Sequence, residues 1–156
     1  MENIYIHYGH KFFDDNLFKE IENKDFVKPL GGLWASAINA EYGWKDWCKE
    51  NNFRDCIEQN SFKFKLKSEA RILKIDSVEV LKKLPVIEMP YNFSWITLDF
   101  EKIKKEYDVI EVLISEDSRL YWDLYGWDCD SLLVLNKDCI EILNKEEIWI
   151  KKKRNI

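Results

Sequence analysis

Apolar and polar positions alternate along several short stretches of this chain, and a period of two predicts strands. The clearest case sets Phe62, Phe64 and Leu66 on one side and Lys63, Lys65 and Lys67 on the other. Such a strand is half-buried, and its water-facing lysines discourage edge pairing. Asn3 to Tyr8 is β-branched or aromatic and closes at Gly9, which predicts a first strand. Leu33 to Ser36 is extended after the turn Lys28-Pro29-Leu30-Gly31-Gly32. Further strands are expected at 71–75, 108–114, 130–135 and 139–143. Between them a period near 3.6 predicts short helices. Asp14 opens one carrying Leu17, Phe18 and Ile21, and Asn39 caps another with Trp44, Trp47 and Cys48 on one face. Ser77 caps Val78, Leu81 and Leu84 before Pro85, and Asp99 caps Phe100, Ile103 and Tyr107. Ser115, with Glu116 and Asp117 in its first turn, opens a helix that Gly126 ends.

This alternation of element types over 156 residues predicts one α+β domain, since two domains would each be too small to hold a good core. With 46% apolar and 34% charged residues the chain is a folding sequence and not a disordered tail. No uncharged apolar run approaches the twenty residues a membrane helix needs, and the start Met1-Glu2-Asn3-Ile4-Tyr5 does not resemble a secretory signal. The expectation is a cytoplasmic protein in which Cys48, Cys56, Cys129 and Cys139, without C-x-x-C spacing, stay reduced.

Charge narrows the partners. The net value is −5, and without the tail Lys151-Lys152-Lys153-Arg154 residues 1–150 carry −9. An acidic body of this kind argues against stable duplex DNA binding. The sign is also uneven: Ser61 to Lys83 holds seven Lys/Arg against three acids, whereas Asp108 to Asp130 holds seven acids against Arg119 alone. The domain is read as 1–150, followed by a basic tail over 151–156.

Simple catalytic motifs are absent: the chain has no G-x-S-x-G, H-E-x-x-H, phosphate loop or G-x-G-x-x-G. Its two histidines, His7 and His10, would face opposite sides of an extended segment, so no shared metal site is expected. Without a second histidine placed to activate it, Ser36 reads as a local hydrogen-bonding group and not a nucleophile.

The element order and three local patterns resemble the ADP-ribosyltransferases. Tyr5-Ile6-His7-Tyr8-Gly9 is similar to their first strand, which carries a histidine before a glycine. Gly32-Leu33-Trp34-Ala35-Ser36, with a helix following, is similar to their second strand, where an aromatic residue precedes a small one. Cys129-Asp130-Ser131-Leu132-Leu133-Val134-Leu135-Asn136, then Lys137-Asp138-Cys139-Ile140, is similar to the strand that opens on the catalytic acid and to its successor. The resemblance implies two small, mainly antiparallel sheets forming an NAD-type cleft with flanking helices. It implies transfer of ADP-ribose from NAD, the substrate, to a protein or nucleic-acid acceptor. In that scheme Asp130 is the catalytic carboxylate and His7 holds the adenosine-side ribose, with Tyr8 and Gly9 beside it. Trp34 stacks on nicotinamide next to Ser36, and Tyr42 and Trp44 form a second stacking wall. Trp34 stands where tyrosine is usual and loses the hydroxyl; Asp130 stands where glutamate is usual and is one methylene shorter. Asp128, two residues away and on the same face by strand alternation, is an alternative acid.

The chemistry suits these residue types. Breaking the nicotinamide–ribose bond builds an oxocarbenium-like cation that a nearby carboxylate stabilises. The resemblance points to a toxin or counter-defence effector of a mobile element. A reading from another class is a non-catalytic, acidic, aromatic-rich interaction protein, an inhibitor or nucleic-acid mimic, using the acids from Asp108 to Asp130. An RNA phosphate-transfer relative would need an arginine cluster, and only Arg54, Arg71, Arg119 and Arg154 are present.

Overall fold

A computed structural model describes residues 3–24, 28–88 and 94–143; the basic tail expected at 151–156 lies outside them. Seven strands form one mixed sheet: β1 (Ile4–Tyr8), β2 (Leu33–Ala37), β3 (Ser61–Leu66), β4 (Ile72–Ile75), β5 (Val109–Val112), β6 (Ser131–Val134) and β7 (Ile140–Leu143). Their order is β4-β5-β6-β2-β1-β3-β7, and β4–β5 is the parallel pair. Four short helices lie among the described residues: α1 (Trp44–Glu50), α2 (Val78–Leu81), α3 (Phe100–Ile103) and α4 (Arg119–Asp123).

The expectation of two sheets is therefore corrected to one. The joint is β2, which pairs with β6 through Leu33, Trp34 and Ala35 but with β1 only at Tyr5–Ala37 and Ile6–Ser36. Past Ile6, His7 and Tyr8 have no ladder partner on β2, so the two strands part there. Alternation sorts the core onto both faces. Ile110, Val112 and Leu133 meet the helices through Leu81, Phe100, Ile103 and Leu120. Val109, Leu132 and Val134 meet Tyr5, Phe62, Phe64 and Ile140 from the opposite half of the strand order. One shared core across distant strands means that the sheet folds over on itself. The Tyr5 hydroxyl accordingly reaches from β1 to donate to Glu111 Oε1 on β5 at 3.1 Å.

Two strand details differ from expectation. The lysine-faced β3 is not an edge, because β7 pairs with it; Lys63 and Lys65 instead pair with Glu58 and Glu141 at 2.6 and 3.4 Å. The stretch opened by Asp14 shrinks to a single 3-10 turn, Asp15–Leu17. Ser77 and Asp99 do cap α2 and α3, accepting from Val80 N and Lys102 N. Asn39 does not cap α1: the helix starts at Trp44, where the Asp46 carboxylate accepts from Gly43 N. Ser115 does not open α4, which begins after Ser118, because its hydroxyl bonds elsewhere. No helix among the described residues is long and apolar enough to cross a membrane. The four cysteines form no disulfide.

Asp108 ties the start of β5 to Arg71. The guanidinium donates twice, Nε to Oδ2 and Nη2 to Oδ1, both at 3.0 Å, and Arg71 N–H and Asn136 add two more bonds. The Arg71 side chain above all holds the Asp108 carboxyl well below the usual carboxylate range. A depressed acid contributes stability above its unfolded pKa of about 4 and loses it as pH falls towards the folded value. Asp108→Asn is thus expected to lower the melting temperature at pH 7, by a margin that narrows below about pH 4. Melting both proteins at pH 7, 4 and 3 checks this; a margin that widens on acidification overturns it.

Candidate functional site

Where β1 and β2 part, a cavity of about 380 Å³ opens, within the range of small-molecule sites. Its walls come from five separate stretches of chain. From β1 come His7 and Tyr8, and Gly9, with φ at +116°, turns the chain so that His10 comes back beside His7. The two imidazoles stack with centroids 5.2 Å apart, and His7 Nε2 lies 2.9 Å from His10 Nδ1. His7 Nδ1 lies 2.7 Å from the Trp34 carbonyl oxygen and so spans the gap that the ladder leaves open. The expectation that these histidines face opposite sides is corrected, since the glycine turn ends the extended run.

The aromatic wall is built on β2 and α1. Trp34 packs against the buried Trp127 at 4.7 Å, and Trp44 stacks on Trp47 at 5.2 Å. Two cations lie against these rings: Lys28 Nζ is 4.9 Å from the Trp34 ring and 5.7 Å from Trp44, and the Arg54 guanidinium is 5.4 Å from Trp44. Gly126, at φ +79°, faces the Lys28 stem so closely that an added Cβ would come within 3.0 Å of it. Asp128, half-buried, completes the wall with Cys129 and Ser131. Burial lowers the pKa of His7 and of Lys28, Asp128 opposing the latter, and pushes the Cys129 thiol up to about 11.

Of the residues expected at the site, His7, Tyr8, Trp34 and Trp44 line the cavity, and Gly9 shapes it. The other three do not line it. Tyr42 gives its hydroxyl to Glu50 at 2.6 Å. Ser36 is buried behind the wall; its hydroxyl donates to Asp130 O and accepts from Trp44 N, which fixes the start of α1. Asp130, only 3% exposed, accepts from Ser115 N at 2.9 Å, Ser115 Oγ at 2.6 Å and Tyr42 N at 3.5 Å. Its position in the cleft is therefore corrected. The segment before β6 is not regular strand, so alternation does not put Asp128 and Asp130 on one face. Asp128 is the carboxylate at the cavity.

No family model, curated protein or solved structure matches this chain.

Sequence reading missed three wall residues: His10, Lys28 and Arg54. Lys28 adjoins the turn before β2, and Arg54 follows the aromatic stripe of α1, but isolated cations carry no spacing signal. Among the described residues no cluster of three or more His, Cys, Asp and Glu side chains is placed to hold a metal ion. The arrangement offers flat indole faces, two cations and one carboxylate. Indoles stack on planar rings, cations pair with phosphate, and a carboxylate stabilises developing positive charge.

Proposed function

We propose that this cavity binds NAD and that the chain transfers ADP-ribose from it to an acceptor. The observation carrying this reading is the convergence of Trp34, Trp44 and Asp128, distant in sequence, on the gap between β1 and β2 beside Lys28 and Arg54. In this reading an indole face holds the nicotinamide, and the two cations take the diphosphate. Asp128 sits near the ribose and stabilises the cation that forms as the glycosidic bond breaks. The acid is thus Asp128 and not Asp130.

The test is to incubate the protein with NAD labelled in its adenosine portion and a cell lysate. Label transferred to a macromolecule, dependent on Asp128, supports the reading; no label and no thermal shift with NAD overturn it. Replacing Lys28 and Arg54 together by glutamine is expected to weaken NAD binding at least about tenfold, because charge-assisted contacts of about 1.5 kcal/mol or more are lost. Calorimetric titration of both proteins measures it, and equal Kd values contradict the assignment.

The interaction-protein reading has one observation in its favour. Trp122 on α4 is 74% exposed, with Tyr121 and Tyr125 partly exposed beside it. Nucleic-acid mimicry by the acidic stretch has less support. Asp108, Glu111, Asp117 and Asp130 are engaged by Arg71, Tyr5, Arg119 and Ser115.

A further inference from the structure

We propose that His10 is the general base that deprotonates the acceptor, with His7 a positioning residue that fixes its tautomer, so that the acceptor is a group that loses a proton on attack, such as a hydroxyl or water, and not a carboxylate. The inference rests on the transfer reading above and adds the chemical class of the acceptor.

The argument follows the protons. A carbonyl oxygen only accepts, so His7 Nδ1, 2.7 Å from Trp34 O, must carry hydrogen. Burial favours neutral His7, whose Nε2 is then a lone pair. That lone pair lies 2.9 Å from His10 Nδ1, which must donate to it. The lone pair of His10 is thereby placed on Nε2, which has no hydrogen-bond partner among the described residues. Both histidines lie on the cavity lining, His10 exposed and His7 half-buried. A proton arriving at His10 Nε2 makes an imidazolium without disturbing either hydrogen bond, so the base is preorganised. Both His7 nitrogens are already engaged, which leaves none for a ribose hydroxyl. The charged groups that line the cavity with the histidine pair are Lys28 before β2, Asp128 before β6 and Arg54 after α1, whose guanidinium lies beside Gly9.

The position separates two tasks. Asp128 serves the ribosyl cation, while an imidazole at the rim meets a nucleophile arriving from solvent. In the step, a lone pair of the acceptor oxygen or nitrogen forms a bond to C1′ of the nicotinamide-side ribose. The C1′–N bond breaks, and its electron pair leaves with nicotinamide, which departs neutral. The acceptor proton passes to His10 Nε2 and then to solvent. A carboxylate acceptor needs no base, whereas a hydroxyl or a water sheds a proton as it attacks.

Two measurements test this on the full chain. His7 and His10 are its only histidines, so ¹⁵N-histidine labelling resolves both rings. Both neutral rings are expected to carry hydrogen on Nδ1; an Nε2–H His10 overturns the proposal. Nicotinamide release from NAD, with water or a serine peptide as acceptor, is expected to rise with pH. His10→Gln should lose that limb and fall on the order of a hundredfold in rate while melting as the wild type. A His10→Gln enzyme that keeps both rate and pH limb overturns the base assignment and leaves transfer standing. A wild type that releases no nicotinamide at any pH overturns the transfer reading, and the base assignment with it.

Discussion

Asp128→Asn is expected to lower ADP-ribosyl transfer about a hundredfold or more while leaving the melting temperature little changed. The argument for a large effect is electrostatic. In bound NAD the positive charge sits on the nicotinamide ring, and it moves onto the ribose as the nicotinamide bond breaks. A preorganised carboxylate therefore favours the transition state over the bound substrate, and losing one such group costs a factor of about a hundred or more. Asparagine keeps the shape and removes the charge. The effect should fall on kcat, with NAD affinity little changed, because the contact matters only as charge develops. The argument for little change in stability is that the half-buried Asp128 side chain makes no hydrogen bond among the described residues, and its charge interaction with Lys28 is not a direct ion pair. Transfer rates and calorimetric Kd values for both proteins decide the matter. Full activity in the variant would remove Asp128 from the reaction.

Asp130→Ala is expected to destabilise the protein by about 3 kcal/mol or more, whether or not NAD is present. Asp130 joins three parts of the chain: Ser115 after β5, the loop before α1 through Tyr42, and the start of β6. Alanine would leave the Ser115 N–H and hydroxyl without the acceptor that the buried carboxylate now gives them. The same site holds the start of α1, because Asp130 O accepts from Ser36, whose hydroxyl caps Trp44 N. Urea unfolding should show a lower midpoint with an unchanged slope. Reduced activity at temperatures where the variant stays folded would trace to a displaced Trp44 and not to lost chemistry. A midpoint equal to that of the wild type would mean that water replaces these bonds without cost.

The strands were legible because each carries a local signal, alternation in β3 and β4 and a short buried apolar run in β5 and β6. Phe62 and Phe64 against Lys63 and Lys65 need no distant information to declare a face, and β3 forms where that pattern lies. Helix starts were less legible where a polar residue had a better partner far away. Ser115 has the residue type and acidic neighbours of a cap, yet Asp130, fifteen residues on, takes its hydroxyl. Asn39 lost its role to Gly43 because Ser36 and Asp46 satisfy the first amides of α1. The number of sheets was not legible, since it depends on two residue pairs between β1 and β2. At the site, His7, Trp34 and Trp44 could be named from local motifs. For the carboxylate the motif pointed to Asp130 with Asp128 as the alternative, and the choice between them was not legible, because the chain enters its strand only at Ser131. Lys28 and Arg54 reach the cavity through tertiary packing alone, and no spacing in the chain announces it.

The short ladder between β1 and β2 has an evolutionary consequence. Along β1, Tyr5 and Ile6 pair with both β2 and β3, while His7 and Tyr8, one step beyond, pair with β3 alone and line the cavity beside Ile6. The backbone of positions 7 and 8 is held by β3 alone, so the second side of the strand is free of ladder bonds where the cavity begins. Substitution at position 8 therefore draws on a separate reserve of mutational tolerance from substitution at 5, whereas His7 serves both fold and site through Trp34 and Phe62. This corner of the molecule can be rewritten for a different ligand while the scaffold beneath it stays as it is.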